Sequence, residues 1–132
     1  MRWGRPRALV RSLRQRGEAG MVTAELAAVL PALVFVMAIA INVVAIGIDQ
    51  IRCVDAARMA ARSASRGDSP ARVSDIGHRA APGGAAVTVR SLGGDVEVTV
   101  SSAPPGPFAW LTGGHRLSAS VVAPVESPDE AP

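Results

Sequence analysis

The chain has 132 residues, a formal net charge of +3, 48% hydrophobic residues and only 3% aromatic ones. That length holds one small domain at most, and less once an anchor is subtracted; so little aromatic mass argues against the packed core of a soluble enzyme. All fourteen basic residues are arginine, and six of them (Arg2, Arg5, Arg7, Arg11, Arg14, Arg16) stand in residues 1–20 against one acid, Glu18, while the rest of the chain carries eight arginines and ten acids, a side-chain count of −2.

The basic leader, residues 1–20, abuts a long apolar run and holds no aromatic besides Trp3. Membrane orientation explains such a stretch better than nucleic-acid binding does. Residues 26–48 (LAAVLPALVFVMAIAINVVAIGI) contain no charged side chain, and Asn42 is their most polar member. Twenty-three residues in a helix span about 34 Å, enough for a hydrocarbon core of ~30 Å. Pro31 can kink such a helix without preventing it. The arginines before the run and the mixed signs of Asp49-Gln50-Ile51-Arg52 after it place the N-terminus in the cytoplasm and the C-terminal part outside.

Residues 49–66 (DQIRCVDAARMAARSASR) are rich in Ala and Arg, which continue a helix well. Arg52, Asp55, Met59, Arg62 and Arg66 form a mostly polar stripe, in which Asp55 has Arg58 and its helical neighbours within reach. Cys53, Ala56, Ala57, Ala60, Ala61 and Ala64 form a small-residue face beside it. Such a face either packs on the chain's own domain or admits another backbone closely. One helix of about 40–45 residues is expected, half in lipid and half outside, closed by Gly67-Asp68-Ser69-Pro70. Cys53 is the chain's one cysteine, which excludes an intrachain disulfide. It reads as a small buried apolar side chain, with an intermolecular disulfide or a lipid attachment as the sharper alternatives.

A short helix is expected over 71–81, with Val73 and Ile76 on one face, ended by Pro82-Gly83-Gly84. Residues 85–91 alternate Val87 and Val89 against Thr88 and Arg90. Leu92-Gly93-Gly94-Asp95 turns the chain, and Val96, Val98 and Val100 alternate with Glu97, Thr99 and Ser101. This reads as an antiparallel hairpin. Pro104-Pro105-Gly106-Pro107 breaks the second strand, Phe108, Trp110 and Leu111 make an apolar loop, and 116–123 is a third strand. The tail, 124–132, is acidic, Pro-rich and expected to be disordered. Three short strands need a cover for their valine face, and the helix over 49–66 supplies it. The expected fold is therefore α+β: a long N-terminal transmembrane helix, 21–48, extends into an exported stem, 49–67. The stem packs on a small three-stranded antiparallel sheet within an exported domain, 68–123.

The boundary between leader and apolar run reads Gly20-Met21-Val22-Thr23-Ala24-Glu25-Leu26. A carboxylate entering a membrane helix is costly unless it is paired or reaches the interface. Taken alone, Glu25 could sit at headgroup level and favour the positive end of the helix dipole. The whole arrangement resembles the class III signal of type IV pilins. The stretch GMVTAELAAVLPALVFVMAIAINVVAIG, followed by QIRCVDAARMAARSASRGD, is similar to the TadE-like minor pilins and pseudopilins of the tight-adherence (Flp) pilus, actinobacterial type, over residues 17–68. The family often has an aromatic after the glutamate; Leu26 stands there here. The resemblance implies that a prepilin peptidase cuts between Gly20 and Met21 on the cytoplasmic side. It also implies that Glu25 pairs with the new N-terminal amine of a neighbouring subunit, each group removing the other's unpaired-charge penalty. The partners implied are the peptidase, other pilins, the pilus assembly platform and membrane lipid. The localisation implied is the cytoplasmic membrane, with passage into a pilus left open.

Catalytic chemistry finds little footing. His78 and His115 lie in different segments without Cys, Asp or Glu at metal-ligand spacing. No serine sits in a nucleophile elbow, and Gly93-Gly94 and Gly113-Gly114 belong to turns rather than a phosphate loop. No enzyme and no cofactor are expected. Two rivals remain: an anchored exported binding module or regulator without cleavage, and a secreted domain released by ordinary signal peptidase, for which Ser63-Ala64-Ser65 is the formal small-residue site.

Overall fold

A computed structural model of the chain describes the backbone of residues 7–126 and the side chains of residues 20–126. The chain divides into two compact units, Met1–Ala40 and Ile41–Pro132. Helix α1, Arg7–Ser65, belongs to both and runs through Pro31. At 59 residues it is longer than the 40–45 expected, because it starts within the leader instead of at the apolar run. The leader is dominated by Arg, Leu, Ala, Gln and Glu, good helix formers, and after Pro6 no proline interrupts it until Pro31. Residues 1–6 and most of the expected tail lie outside the described residues.

In the first unit every residue from Gly20 to Met37 is exposed. These include Leu30, Leu33, Val34, Phe35 and Met37, each more than half exposed. Among the described residues one helix, Gly20–Ser65, is long and apolar enough to cross a membrane.

The second unit has a core. Within it, α1 buries a stripe that begins at Asn42 and continues through Cys53, Ala56, Ala57, Ala60, Ala61 and Ala64, a helical repeat of three and four residues. The helix ends in a Schellman closure. The Gly67 amide donates to the Ala64 carbonyl (3.0 Å) and the Asp68 amide to the Ser63 carbonyl (3.3 Å), with Gly67 at the positive φ of 77° this closure requires. Ser69 then caps α2, Pro70–Ala80, its hydroxyl accepting from the Arg72 amide, with Pro70 in the first turn.

Strands β1, Ala86–Ser91, β2, Asp95–Ser102, and β3, Leu117–Pro124, form an antiparallel sheet in the order β1-β2-β3. Register sets Val89, Val98 and Val121 in one row and Val87, Val100 and Ala119 in the next. Val96, Val98 and Val100 are buried, and Ala119, Val121, Val87 and Val89 pack against the same core as the α1 alanines and Val73 of α2. Both helices thus cover one face of the sheet: α1 is the cover expected for the valine face, and α2 joins it. On the other face Ser120 bonds Thr99 (3.0 Å) and donates to Glu97 Oε1 (2.9 Å). Gly77 of α2 is the tight point: a Cβ there would lie 2.9 Å from Val87 Cγ1 and 3.5 Å from Ala60 Cβ, so the glycine lets α2, β1 and α1 meet. The segment read as an apolar loop contains a 3-10 turn, Ala109–Thr112.

Candidate functional site

The residues singled out at the leader boundary all lie on α1. Gly20 and Met21 are consecutive helical residues and Glu25 follows one turn later, each exposed, with Met21 at 71%. No second element comes to them among the described residues of the unit. A side chain at Gly20 would meet nothing within 4 Å, so neither packing nor backbone conformation calls for glycine there. An interior helical glycine costs about 1 kcal/mol relative to alanine. Gly47 is equally open; what sets Gly20 apart is its spacing to Met21 and Glu25. Among the described residues, the three therefore stand on an exposed stretch of helix.

Cys53, by contrast, is fully buried in the core. Burial, with the Asp49 carboxylate adding to it, pushes its thiol above the ordinary value. The thiolate, the reactive form, is correspondingly disfavoured. The small-residue face to which it belongs is occupied by the chain's own sheet, the first of the two alternatives the sequence left open. Asp55 is exposed, and the ion pair on this stretch of helix joins Asp49 to Arg52 (3.7 Å) instead.

Asn42 is the site residue that the sequence did not reveal. It is 6% exposed, and its Nδ2 donates to the Pro105 carbonyl (2.9 Å) across 63 residues of sequence. Gly106, at φ +82°, approaches so closely that a Cβ would overlap the Asn42 amide. The Oδ1 atom is buried and accepts no bond. The available signal was chemical: a lone amide in a charge-free apolar run must find a partner or remain a cost. Two further bonds fix the sheet along the helix: Gln50 Nε2 donates to the Ser118 carbonyl (2.9 Å), and the Glu126 amide to the Ser65 carbonyl (3.0 Å). Those fifteen helical residues rise about 22 Å and those eight extended residues about 26 Å, so β3 runs alongside α1 in the same direction.

Asp68 ties the end of α1 to the start of α2. It accepts from Ser63 Oγ at 2.6 Å and lies 3.5 Å from Arg66 Nη2 and 3.9 Å from Arg72 Nε. The serine bond first, and the two guanidinium groups with it, hold its carboxyl below the usual carboxylate value. His78 donates from Nδ1 to the Ser74 carbonyl (2.8 Å) and His115 to that of Thr112 (2.9 Å), both bonds local to their own turns. Among the described residues no group of three or more His, Cys, Asp or Glu could hold a metal ion. An open groove of about 270 Å³ lies between Ala64, Val73, Val89 and Val96; at that size it falls below the usual range of ligand pockets.

No family model, curated protein or solved structure matches the chain.

Proposed function

We propose that this chain is a single-pass protein of the cytoplasmic membrane, its arginine-rich N-terminus cytoplasmic and its C-terminal part, from the stem at 49 onward, outside. In this reading it acts as a TadE-like minor pilin or pseudopilin in assembly of a tight-adherence pilus. The single observation that carries the membrane part is the uncovered apolar helix of the first unit. Eleven large side chains between Met21 and Ile41 are each at least 55% exposed. Leaving each half in water forgoes on the order of 1 kcal/mol, on the order of 10 kcal/mol together. That is comparable to the whole stability of a small domain, about 5–15 kcal/mol. A cover from outside the chain is needed, and lipid supplies it for the single helix.

The pilin part rests on the resemblance, on the Gly20, Met21 and Glu25 spacing, and on the openness of that segment to an enzyme or a neighbouring subunit. Its role is structural: the bare helix packs among other pilins, Glu25 meets the ammonium freed at Met21 of a neighbour, and the sheet unit makes surface contacts. Neither catalysis nor a cofactor enters. N-terminal sequencing of the mature protein is the test. A start at Met21 is the expected result; an intact leader contradicts the processing and selects the anchored binding module, and a start other than Met21 contradicts it as well. Glu25→Ala is expected to insert normally and to lower incorporation into the assembly, measured by co-isolation with other pilins.

A further inference from the structure

The Ile41–Pro132 unit carries an apolar patch that its own core does not use. On α1, Val44 and Ile48 are 61% and 48% exposed, and in the 3-10 segment Trp110 and Leu111 are 68% and 45% exposed. Asn42 joins the two sets through its bond to the Pro105 carbonyl and its contact with Gly106. From Gly106 the chain stays compact: the Ala109 amide donates to the Gly106 carbonyl (3.4 Å) and the Gly113 amide to that of Trp110 (3.0 Å). Trp110 is therefore held near the Asn42 end of the unit, far from the end where Glu126 meets Ser65.

We propose that this patch sits in the headgroup layer of the bilayer, with Trp110 and Leu111 inserted beside α1 and the hydrocarbon edge at Asn42. The inference rests on the membrane reading of α1 above. A span over 26–48 would carry Asn42 and the irregular backbone from Pro104 to Thr112 into hydrocarbon, where unsatisfied peptide groups cost several kcal/mol each. A span ending at Ile41 avoids that cost. Counted from Met21, it is twenty-one residues, about 32 Å, which still fits a core of ~30 Å. Tryptophan suits the interface, its ring apolar and its N–H meeting water or headgroups. Arg116, exposed just past the loop, is placed to meet lipid phosphate. The same register sets Glu25 about 6 Å along the helix from Met21, inside the opposite edge, and increases its need for a counter-charge.

The test uses the full chain in vesicles of phosphatidylethanolamine and phosphatidylglycerol. Trp3→Phe leaves Trp110 as the one tryptophan, and a companion chain with Trp3→Phe, Trp110→Phe and Val34→Trp reports on the span. Lipids carrying a quencher near the headgroup or deep in the acyl chain are added. Trp110 is expected to be quenched roughly twofold or more better by the shallow label, and the Val34→Trp reporter better by the deep one. If Val34→Trp is quenched by the deep label while Trp110 ignores both, the patch faces water or a protein partner; this inference falls and the span stands. If neither is quenched, the span falls and takes the inference with it.

Discussion

The two ends of the described part of α1 differ in what their apolar residues are for. From Met21 to Met37 the large apolar side chains are Leu, Val, Phe and Met, all exposed. From Cys53 to Ala64 the inward positions are Cys, Ala and Ser, and the large side chains of the same core belong to α2 and the three strands. A helix that packs on a sheet keeps its own side chains small so that the sheet's valines can fill the gap. A helix segment exposed along its length can carry bulk on every face. Side-chain size thus separates the segment that recruits a cover from the segment that already has one.

Each prediction probes that contrast, starting with the largest effect. Leu33→Arg combined with Met37→Arg is expected to cost about 2.5–3.5 kcal/mol per arginine for insertion and to move the protein out of the membrane pellet on fractionation. Ala57→Leu puts bulk at a fully buried core position and is expected to cost about 1–3 kcal/mol of unfolding stability. Ala32→Leu, on the bare segment, is expected to leave the unfolding midpoint unchanged, and equal effects at the two positions would erase the contrast. Gly106→Ala combines a strained backbone with overlap at Asn42; a loss of about 1–2 kcal/mol is expected, read as a lower melting temperature.

The smallest effect sits at Asp68. Its folded carboxyl is depressed below the ordinary value of 3.8. It therefore contributes stability above that pH, and the contribution is lost as pH falls through 3.8 toward the depressed folded value. Melting curves of Asp68→Asn are expected to fall slightly below the parent at neutral pH and to converge with it in strong acid. A constant gap across that range would contradict the assignment.

Much of the Ile41–Pro132 unit was legible because its signals are local. Valine alternation on either side of Gly93-Gly94 gave the hairpin, and the three-and-four spacing of Cys53 and the alanines gave the buried helix face. What escaped depends on partners distant in sequence. Asn42 reads as a slightly polar member of an apolar run until Pro105 is brought beside it. Gly77 carries no signal in the short helix until the fold brings Val87 and Ala60 against it. The helical start at Arg7 was hidden because the leader's clustered arginines signal orientation, while its helix propensity is spread over Arg, Leu, Ala and Glu among three glycines. At the leader boundary the residue types and spacing were plain, but the partner they imply lies outside the chain.

On the proposed reading, lipid covers the bare segment of α1. Alkaline carbonate extraction of membranes from cells expressing the full chain tests it most directly. The protein is expected to stay in the pellet with integral membrane proteins; its release into the supernatant would contradict the account.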